Sequence, residues 1–518
     1  MNQTLFHIPE KLVGLPVFGF GWLLIVWLLG CAGYLAWQVQ RGGWRPQLTA
    51  QLPLMALIAG AIAFLLPWVQ SQLGEGGSGL PIRGFGVMLL LGVAAGLALA
   101  VWRARQMGIE ADAIFSLTFW MFLTAVIGAR LFFIIEYWEL FQRPTWGETL
   151  SEILKVTQGG IVLYGAFLGG LLGFAAFCAR NKLPALAMAD LIAPALVIGL
   201  AFGRLGCLMN GCCFGGLCEE PWAISFPRVG DSLGETPPYA HQHGFGLLHG
   251  FRLQEAENGE LMVGQVLPGS AAEVAGLQAG TVIERIELLP RTAIDAALAV
   301  PQLAGAELKI ERRGKPAVTL TVPPYKPISG FLDSRRLGLT LGGGTLEPTV
   351  REVYPDSPAA AAGLAVDDVL LSVELPPPSS LEAARGLLQF TEESIALETN
   401  AGRFDVSLPA MPSASLPVHP TQIYSSINAL LLTLVLWFFY PYRPRDGAVF
   451  ALMLTLYPIA RFTLEMIRSD EPGMFAGLTV SQNLSLVLLA AAAVLWIFIL
   501  SRPKSLALPW RAPNSAAA

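Results

Sequence analysis

Charge is what this 518-residue chain has least of. Charged residues make up 14% of it, against roughly 25% in soluble proteins. Apolar residues reach 54%, so too little polar surface is available for an ordinary water-facing fold. Positive charge is scarce too: the formal net charge is −5, which argues against a nucleic-acid partner. Six cysteines are too few for a disulfide scaffold. The opening "MNQTLFHIPEKLVG" has no basic n-region and no small-residue cleavage site after it, so no removable signal peptide is expected. No H-E-x-x-H motif and no serine–histidine arrangement occurs in the apolar runs, which excludes a membrane-embedded protease of those types.

What is present is a series of long apolar runs. Crossing a ~30 Å hydrocarbon core takes about 20 residues. Segments near 17–39, 52–70, 84–104, 112–137, 160–180, 188–209, 421–440, 447–467 and 481–501 meet that length, and the reading is nine spans. Basic residues then orient them. One alternating set of loops holds Arg41, Arg45, Arg103, Arg105, Arg180, Lys182, Arg443 and Arg445, with Arg502, Lys504 and Arg511 after the last span. The other set of short loops holds only Arg83, Arg143, Lys155 and Arg468. The first set is therefore expected in the cytoplasm, with the N-terminus and the long 210–420 segment outside.

Two internal repeats stand out. "GLPVFGFGWLL" at 14–24 recurs as "GLPIRGFGVML" at 79–89, which suggests two spans added in front of a seven-span core. In the outer segment, "VLPGSAAEVAGLQAGTVIERIE" (266–287) aligns with "VYPDSPAAAAGLAVDDVLLSVE" (353–374), Gly276 and Gly363 being 87 residues apart. Each copy reads as a strand, a short helix stopped by a glycine, and an alternating strand. The copies resemble PDZ domains, which take an extended chain end by strand addition. A pair that binds peptide ends and a spacer that merely packs both fit the pattern.

Ionisable residues inside a span are costly and mark functional sites. Tyr457, Arg461, Glu465 and Arg468 fall at i, i+4, i+8 and i+11, one polar stripe on an apolar helix. Arg461 sits about 9 Å from the outer end at 1.5 Å per residue. Arg130 lies similarly deep, Arg204 is near the outer end of the sixth span, and His419 stands at the mouth of the seventh. With "GGIVLYGAFLGG" (159–170) these all map to the outer half of the membrane. Buried arginines with little nearby acid call for an anion, and guanidinium forks match phosphate oxygens. In an outer leaflet that phosphate is a lipid head group. Snorkelling would account for Arg204 or Arg468 alone, and helix gluing for an Arg461–Glu465 pair.

Cys207, Cys212, Cys213 and Cys218 follow a C-x4-CC-x4-C spacing, not the C-x2-C of zinc ribbons. No metal and no cofactor is expected on that ground. A structural disulfide from Cys207 or Cys218 to one of the adjacent pair, or inert thiols, are the two readings; a disulfide oxidase would want C-x-x-C or paired loops.

"MADLIAPALVIGLAFGRLGCLMNGCCFGG" resembles the signature region of the prolipoprotein diacylglyceryl transferase family. "GARL" (128–131), "GGIVLYGAFLGG", "HPTQIY" (419–424) and "YPIARFTLEMIRSD" (457–470) follow in that family's order, covering roughly 80–230 and 415–500. The resemblance implies transfer of the diacylglyceryl group of phosphatidylglycerol to the lipobox cysteine thiol of preprolipoproteins, forming a thioether and releasing glycerol phosphate. It implies catalytic roles for Arg204 and Arg461 on the phosphate, and lipid-binding roles for Arg130, Asn210, Tyr457, Glu465, Gln422, Gly203, Gly206 and Gly211. The departures bear on the acid–base half and leave the lipid-phosphate half intact: Tyr164 stands where many members have histidine, Phe85 where the family has a tyrosine, Cys207 where the better-known pattern has asparagine and Cys212 where it has glutamate. Tyr164 and His419 are the remaining candidates for the thiol's proton. A paralogue with another lipid or thiol, and a non-enzymatic membrane scaffold, are the alternative readings.

The expected architecture is a polytopic α-helical protein of the bacterial inner membrane with a periplasmic β-rich insertion. Its divisions are two extra spans (1–78), the first part of the transferase core (79–244), PDZ-like domains at 245–328 and 329–412, the second part of the core (413–502) and a cytoplasmic tail (503–518). Its expected partners are phosphatidylglycerol, the preprolipoprotein signal peptide and lipobox, and peptide termini at the PDZ-like pair.

Overall fold

The computed structural model describes residues 3–42, 46–73, 79–141, 145–154, 162–228, 235–323, 337–391, 393–468, 477–504 and 506–507. Two units emerge, Met1–Gly216 with Pro420–Ala518, and Leu217–His419. The first unit begins with short strands β1 (Thr4–Ile8), β2 (Lys11–Leu12) and β3 (Leu15–Pro16). Helices α1 (Trp22–Gly42), α2 (Pro46–Gly60) and α3 (Leu66–Leu73) follow, the last two joined by a π-helical turn at Ala61–Leu65. Strand β4 (Leu80–Arg83) pairs antiparallel with β1. Then come α4 (Gly84–Gln106), α5 (Ala111–Glu136), α6 (Trp138–Phe141), α7 (Trp146–Leu154), α8 (Leu163–Arg180) and α9 (Ala185–Asn210).

The glycine-rich run in α8 serves close helix packing. A Cβ at Gly165 would stand 2.3 Å from Gly128 O, and one at Gly169 would stand 2.2 Å from Thr124 O, both in α5. Small residues spaced by four thus let the two backbones meet without a hydrophobic driving force in lipid. Gly92 and Gly96 do the same for α4 against α9.

In the second unit α10 (Pro237–Gly244) precedes two copies of one pattern. The first copy holds β5 (Phe251–Glu255), β6 (Leu261–Val266), α11 (Ala271–Val274), β7 (Ile283–Glu287), α12 (Pro290–Ala299), β8 (Glu307–Arg312) and β9 (Lys315–Thr321). The second holds β10 (Leu339–Gly342), β11 (Thr349–Val353), α13 (Pro358–Ala361), β12 (Leu370–Glu374), α14 (Leu381–Leu388), β13 (Ser394–Thr399) and β14 (Gly402–Ser407). Ser270 and Ser357 cap the short helices by accepting from Glu273 N–H and Ala360 N–H.

The copies exchange strands. β7 of the first pairs with β13 of the second, Leu397 opposite Ile286, while β12 of the second pairs with β8 of the first, Val373 opposite Ile310. The sheets run β14-β13-β7 and β12-β8-β9, so hydrogen bonding crosses the 328/329 boundary expected from sequence. Buried side chains of both copies, from Phe251 and Ile286 to Leu308, Leu370 and Leu397, form one connected core. Asp368, ahead of β12, is buried against Arg312 Nη1 at 2.9 Å and Lys315 Nζ. The site equivalent to Asp368 in the first copy is Thr281, and Thr399 is equivalent to Arg312. The exchange therefore puts acid with base. Pairing within each copy would leave Asp368 buried beside a threonine, at a cost of several kcal/mol for an uncompensated charge.

The chain returns to the first unit through α15 (Thr421–Phe439), α16 (Ala448–Glu465) and α17 (Val480–Leu500). Asp190 of α9 seats the start of α16: its oxygens accept from Gly447 N–H at 2.8 Å and Phe450 N–H at 2.9 Å, with Arg443 Nε 3.4 Å away. A carboxylate there satisfies otherwise orphaned amides at the helix's positive end. Thr479 and Gln482 form a capping box on α17. Among the described residues seven helices are long and apolar enough to cross a membrane: α1, α4, α5, α9, α16, α17 and Thr421–Tyr442, which is α15 with the 3₁₀ turn that follows it. The expected spans at 52–70 and 160–180 appear as shorter apolar helices, Met55–Trp68 and Tyr164–Arg180.

Candidate active site

α9 stops where Gly211 turns left-handed, φ 77°. Gly211 N–H then donates to Leu208 O and Cys212 N–H to Cys207 O, the glycine-terminated closure common at helix ends. Folding the chain back in this way brings the thiols of Cys207, Cys212 and Cys213 within 4.8 Å of one another. Cys213 is itself left-handed, φ 61°, uncommon for a residue with a Cβ. The first turn of α15 holds the loop: Thr421 Oγ1 donates to Cys213 O at 2.6 Å, and Gln422 Nε2 to Cys212 O at 2.7 Å. Gln422 is fully buried, and its Oε1 has no partner among the described residues. Cys212 Sγ donates to Cys207 O at 3.7 Å, and the neighbouring Cys207 and Cys212 thiols, with Arg204 and Arg468 adding, hold the Cys213 thiol below its ordinary pKa despite burial.

The polar stripe of α16 is laid out as the helical period requires. Arg461 Nη1 meets Glu465 Oε2 at 2.7 Å, and Arg461 Nη2 donates to Ser481 Oγ of α17 at 2.8 Å. Arg468 Nη1 reaches the same carboxylate oxygen at 3.1 Å, and Thr479 Oγ1 donates to the other at 3.3 Å. Glu465 is buried between the two arginines. Arg204, Tyr457 and Arg461 face one small cavity of about 10 Å³, completed by Leu200, Ser425, Asn428, Ala429 and Leu464. No carboxylate among the described residues pairs with Arg204. Arg461 and Arg468 thus share the Glu465 carboxylate, while Arg204 faces the same cavity as Arg461 without a carboxylate among the described residues. That is the electrostatic form of a phosphate site, where fixed donors await a developing negative charge. A second, apolar cavity of about 560 Å³ lies between α4, α5, α8 and α9, walled by Leu97, Met121, Phe167, Phe174 and Leu196, with Phe450 and Leu495 also lining it.

The structure brings Arg204, Tyr457 and Arg461 together, and Glu465 orients Arg461. Asn210 closes α9, its carbonyl accepting from Gln3 Nε2 at 3.1 Å. Gly206 admits Phe85, whose ring would lie 3.0 Å from a Cβ there. A Cβ at Gly203 would meet open space. Arg130 does not line the arginine cavity; it donates to Ile153 O at 3.1 Å, at the end of α7. Tyr164 sits exposed on the first turn of α8, also away from that lining. His419 is half-buried at the end of the second unit, one residue before Pro420. Sequence reasoning missed Thr421, Ser425, Asn428 and Ser481. The only signal available was a polar residue on an apolar helix, too common to single out four.

A family model described as prolipoprotein diacylglyceryl transferase matches residues 77–268 and 388–498, and one described as PDZ domain matches 349–399. A phosphatidylglycerol–prolipoprotein diacylglyceryl transferase from Rhodopirellula baltica is 31% identical over 528 aligned residues, 95% of this chain and 88% of that protein. The protein called transferase 2 from Clostridium perfringens is 36% identical over 165 residues, 32% of this chain and 62% of its own length. A relative from Deinococcus radiodurans is 36% identical over 130 residues, 25% of this chain and 38% of its own.

Proposed function

The chain belongs to the prolipoprotein diacylglyceryl transferase family, and from that premise we propose that Arg204 and Arg461 hold the phosphate of phosphatidylglycerol as it becomes the leaving group. The enzyme transfers a diacylglyceryl group from phosphatidylglycerol to a preprolipoprotein cysteine. The thiol sulfur bonds to the glyceryl carbon, the carbon–oxygen bond to phosphate breaks, and glycerol phosphate leaves with the electron pair. Negative charge grows on the phosphate during that step, so charge fixed beforehand on two different helices stabilises the transition state more than the ground state. The observation that carries this reading is the shared cavity of Arg204 and Arg461, with no carboxylate among the described residues pairing with Arg204. Tyr457 and Asn210 orient the head group, and the 560 Å³ apolar cavity is suited to acyl chains. Arg204→Ala and Arg461→Ala should each lower kcat/KM by about 10²–10³-fold, the effect of removing one charge-stabilising donor. Mass spectrometry of a lipobox-bearing test protein measures it, and wild-type rates in both variants would refute the assignment.

An imidazole accepts a proton near neutral pH and a neutral phenol does not. We therefore assign the thiol's proton to His419 rather than Tyr164, on its sequence position two residues before Thr421. We place the protein in the bacterial inner membrane with residues 217–419 on the periplasmic side. A membrane-impermeant reagent should then label an engineered Glu257→Cys in intact spheroplasts, and labelling only after lysis would reverse the orientation. For the PDZ-like pair we propose capture of peptide ends at β10. The corresponding strand β5 already gives Leu253 N–H to Phe245 O of its own chain at 2.9 Å. A photoreactive peptide with a free carboxyl end should crosslink to 339–342; crosslinks confined to 251–255 would contradict this.

A further inference from the structure

We propose that Cys207, Cys212 and Cys213 form a three-thiolate site for a thiophilic divalent cation such as zinc, whose open fourth position takes the acceptor thiol. The sequence spacing gave no hint of it, because C-x4-CC matches no zinc ribbon. The structure supplies what spacing lacks: reversal of the chain at Gly211 returns Cys212 N–H to Cys207 O at 3.1 Å. The left-handed Cys213 then presents its sulfur to the same point, and all three sulfurs lie within 4.8 Å of one another. Thiolates 2.3 Å from a tetrahedral ion stand about 3.8 Å apart, so rotamer changes of about an ångström suffice to close around one.

Independent features support a built site. Thr421 and Gln422 fix both carbonyls of the cysteine pair from a separate helix. Gln422 is fully buried, with Oε1 unpartnered among the described residues. Charge favours the same conclusion. Three thiolates and a divalent ion carry one net negative charge, and Arg204 lies three residues before Cys207 on the same helix. Arg468 bridges to Gly215 just beyond the loop. The cluster is half-buried, so an ion and a substrate can reach it.

Three protein ligands with an open position are the form of a catalytic, rather than structural, zinc site. A thiol entering that position is deprotonated outright, and the thiolate is the nucleophile. The acceptor's S–H proton leaves to base or solvent, the S–carbon bond forms, and the carbon–oxygen bond to phosphate breaks beside Arg204. No electron is lost or gained by the ion. This role rests on the transferase reading above; the metal site itself does not.

The test uses the full-length protein, purified under reducing conditions in detergent and titrated with Co²⁺ alone. One equivalent should bind per chain and give a thiolate-to-cobalt charge-transfer band that Zn²⁺ displaces. Cys207→Ser, Cys212→Ser and Cys213→Ser should each weaken binding at least about tenfold, while Cys31→Ser and Cys218→Ser leave it unchanged, with circular dichroism confirming helix content in each. Absence of the band, its persistence in the three-serine variant, or a disulfide among these cysteines in the reduced protein would overturn the site. A synthetic lipobox peptide should then strengthen the band, and its cysteine-to-serine analogue should not; equal spectra would overturn the open-position role. Arg461→Ala should keep the cobalt band while losing lipidation, so failure of the transferase reading is told apart from failure of the metal site.

Discussion

Glu465 is buried between Arg461 and Arg468 and bonds to both, a geometry suited to aiming the guanidiniums. Replacing it with glutamine keeps an acceptor but removes the charge, so the proposed phosphate site gains positive charge while Arg461 loses its fixed direction. Glu465→Gln should therefore lower kcat by about 10–100-fold, the usual cost of loosening an orienting partner, without raising KM for phosphatidylglycerol. A raised KM with unchanged kcat would place Glu465 on the substrate itself. The stripe from Tyr457 to Glu465 was legible in sequence because a period of 3.6 puts polar residues on one face of an apolar helix. Ser481 was not legible, because its pairing with Arg461 depends on how α16 and α17 pack. Arg130 shows the same limit: its place in an apolar run was readable, but the Ile153 carbonyl that takes its guanidinium was not.

At the scale of elements, the repeat at 266–287 and 353–374 was visible, yet its pairing was not. Both copies carry the same strand pattern, so joining within a copy or across copies satisfies it equally. Two aligned positions bear on the choice: Thr281 against Asp368, and Arg312 against Thr399. Burial works against ionising Asp368, but Lys315, Ala365 N–H and Arg312 together hold its carboxyl below the ordinary value of 3.8. A depressed carboxylate pKa contributes stability that is complete above about pH 4 and is lost as pH falls through the folded value. Asp368→Asn should thus cost about 3–5 kcal/mol at pH 7 and flatten the pH dependence below 4, read by hydrogen exchange across β8 and β12. A variant as stable as wild type at pH 7 would remove the ion pair as the choice between pairings. The cysteine loop shows the same limit on a shorter segment. C-x4-CC reads as three scattered thiols until the left-handed Gly211 folds it.

Across the whole molecule, low charge and long apolar runs foretold a membrane protein, and ordered motifs foretold its family, because both survive as linear pattern. The chemistry depends on convergence: Arg204 and Arg461, 257 residues apart in the chain, line one cavity only because α9, α15 and α16 pack together. Asp190 contributes from the far end of α9 by seating the helix that carries Arg461. The measurement that tests this most directly incubates purified protein with phosphatidylglycerol and a lipobox-bearing test protein, following thioether formation and glycerol phosphate release together. Wild type should form both products in equal amounts, and Arg204→Ala should lose both in parallel, by about 10²-fold or more, while still inserting in the membrane. Undiminished release and lipidation in Arg204→Ala would contradict the account.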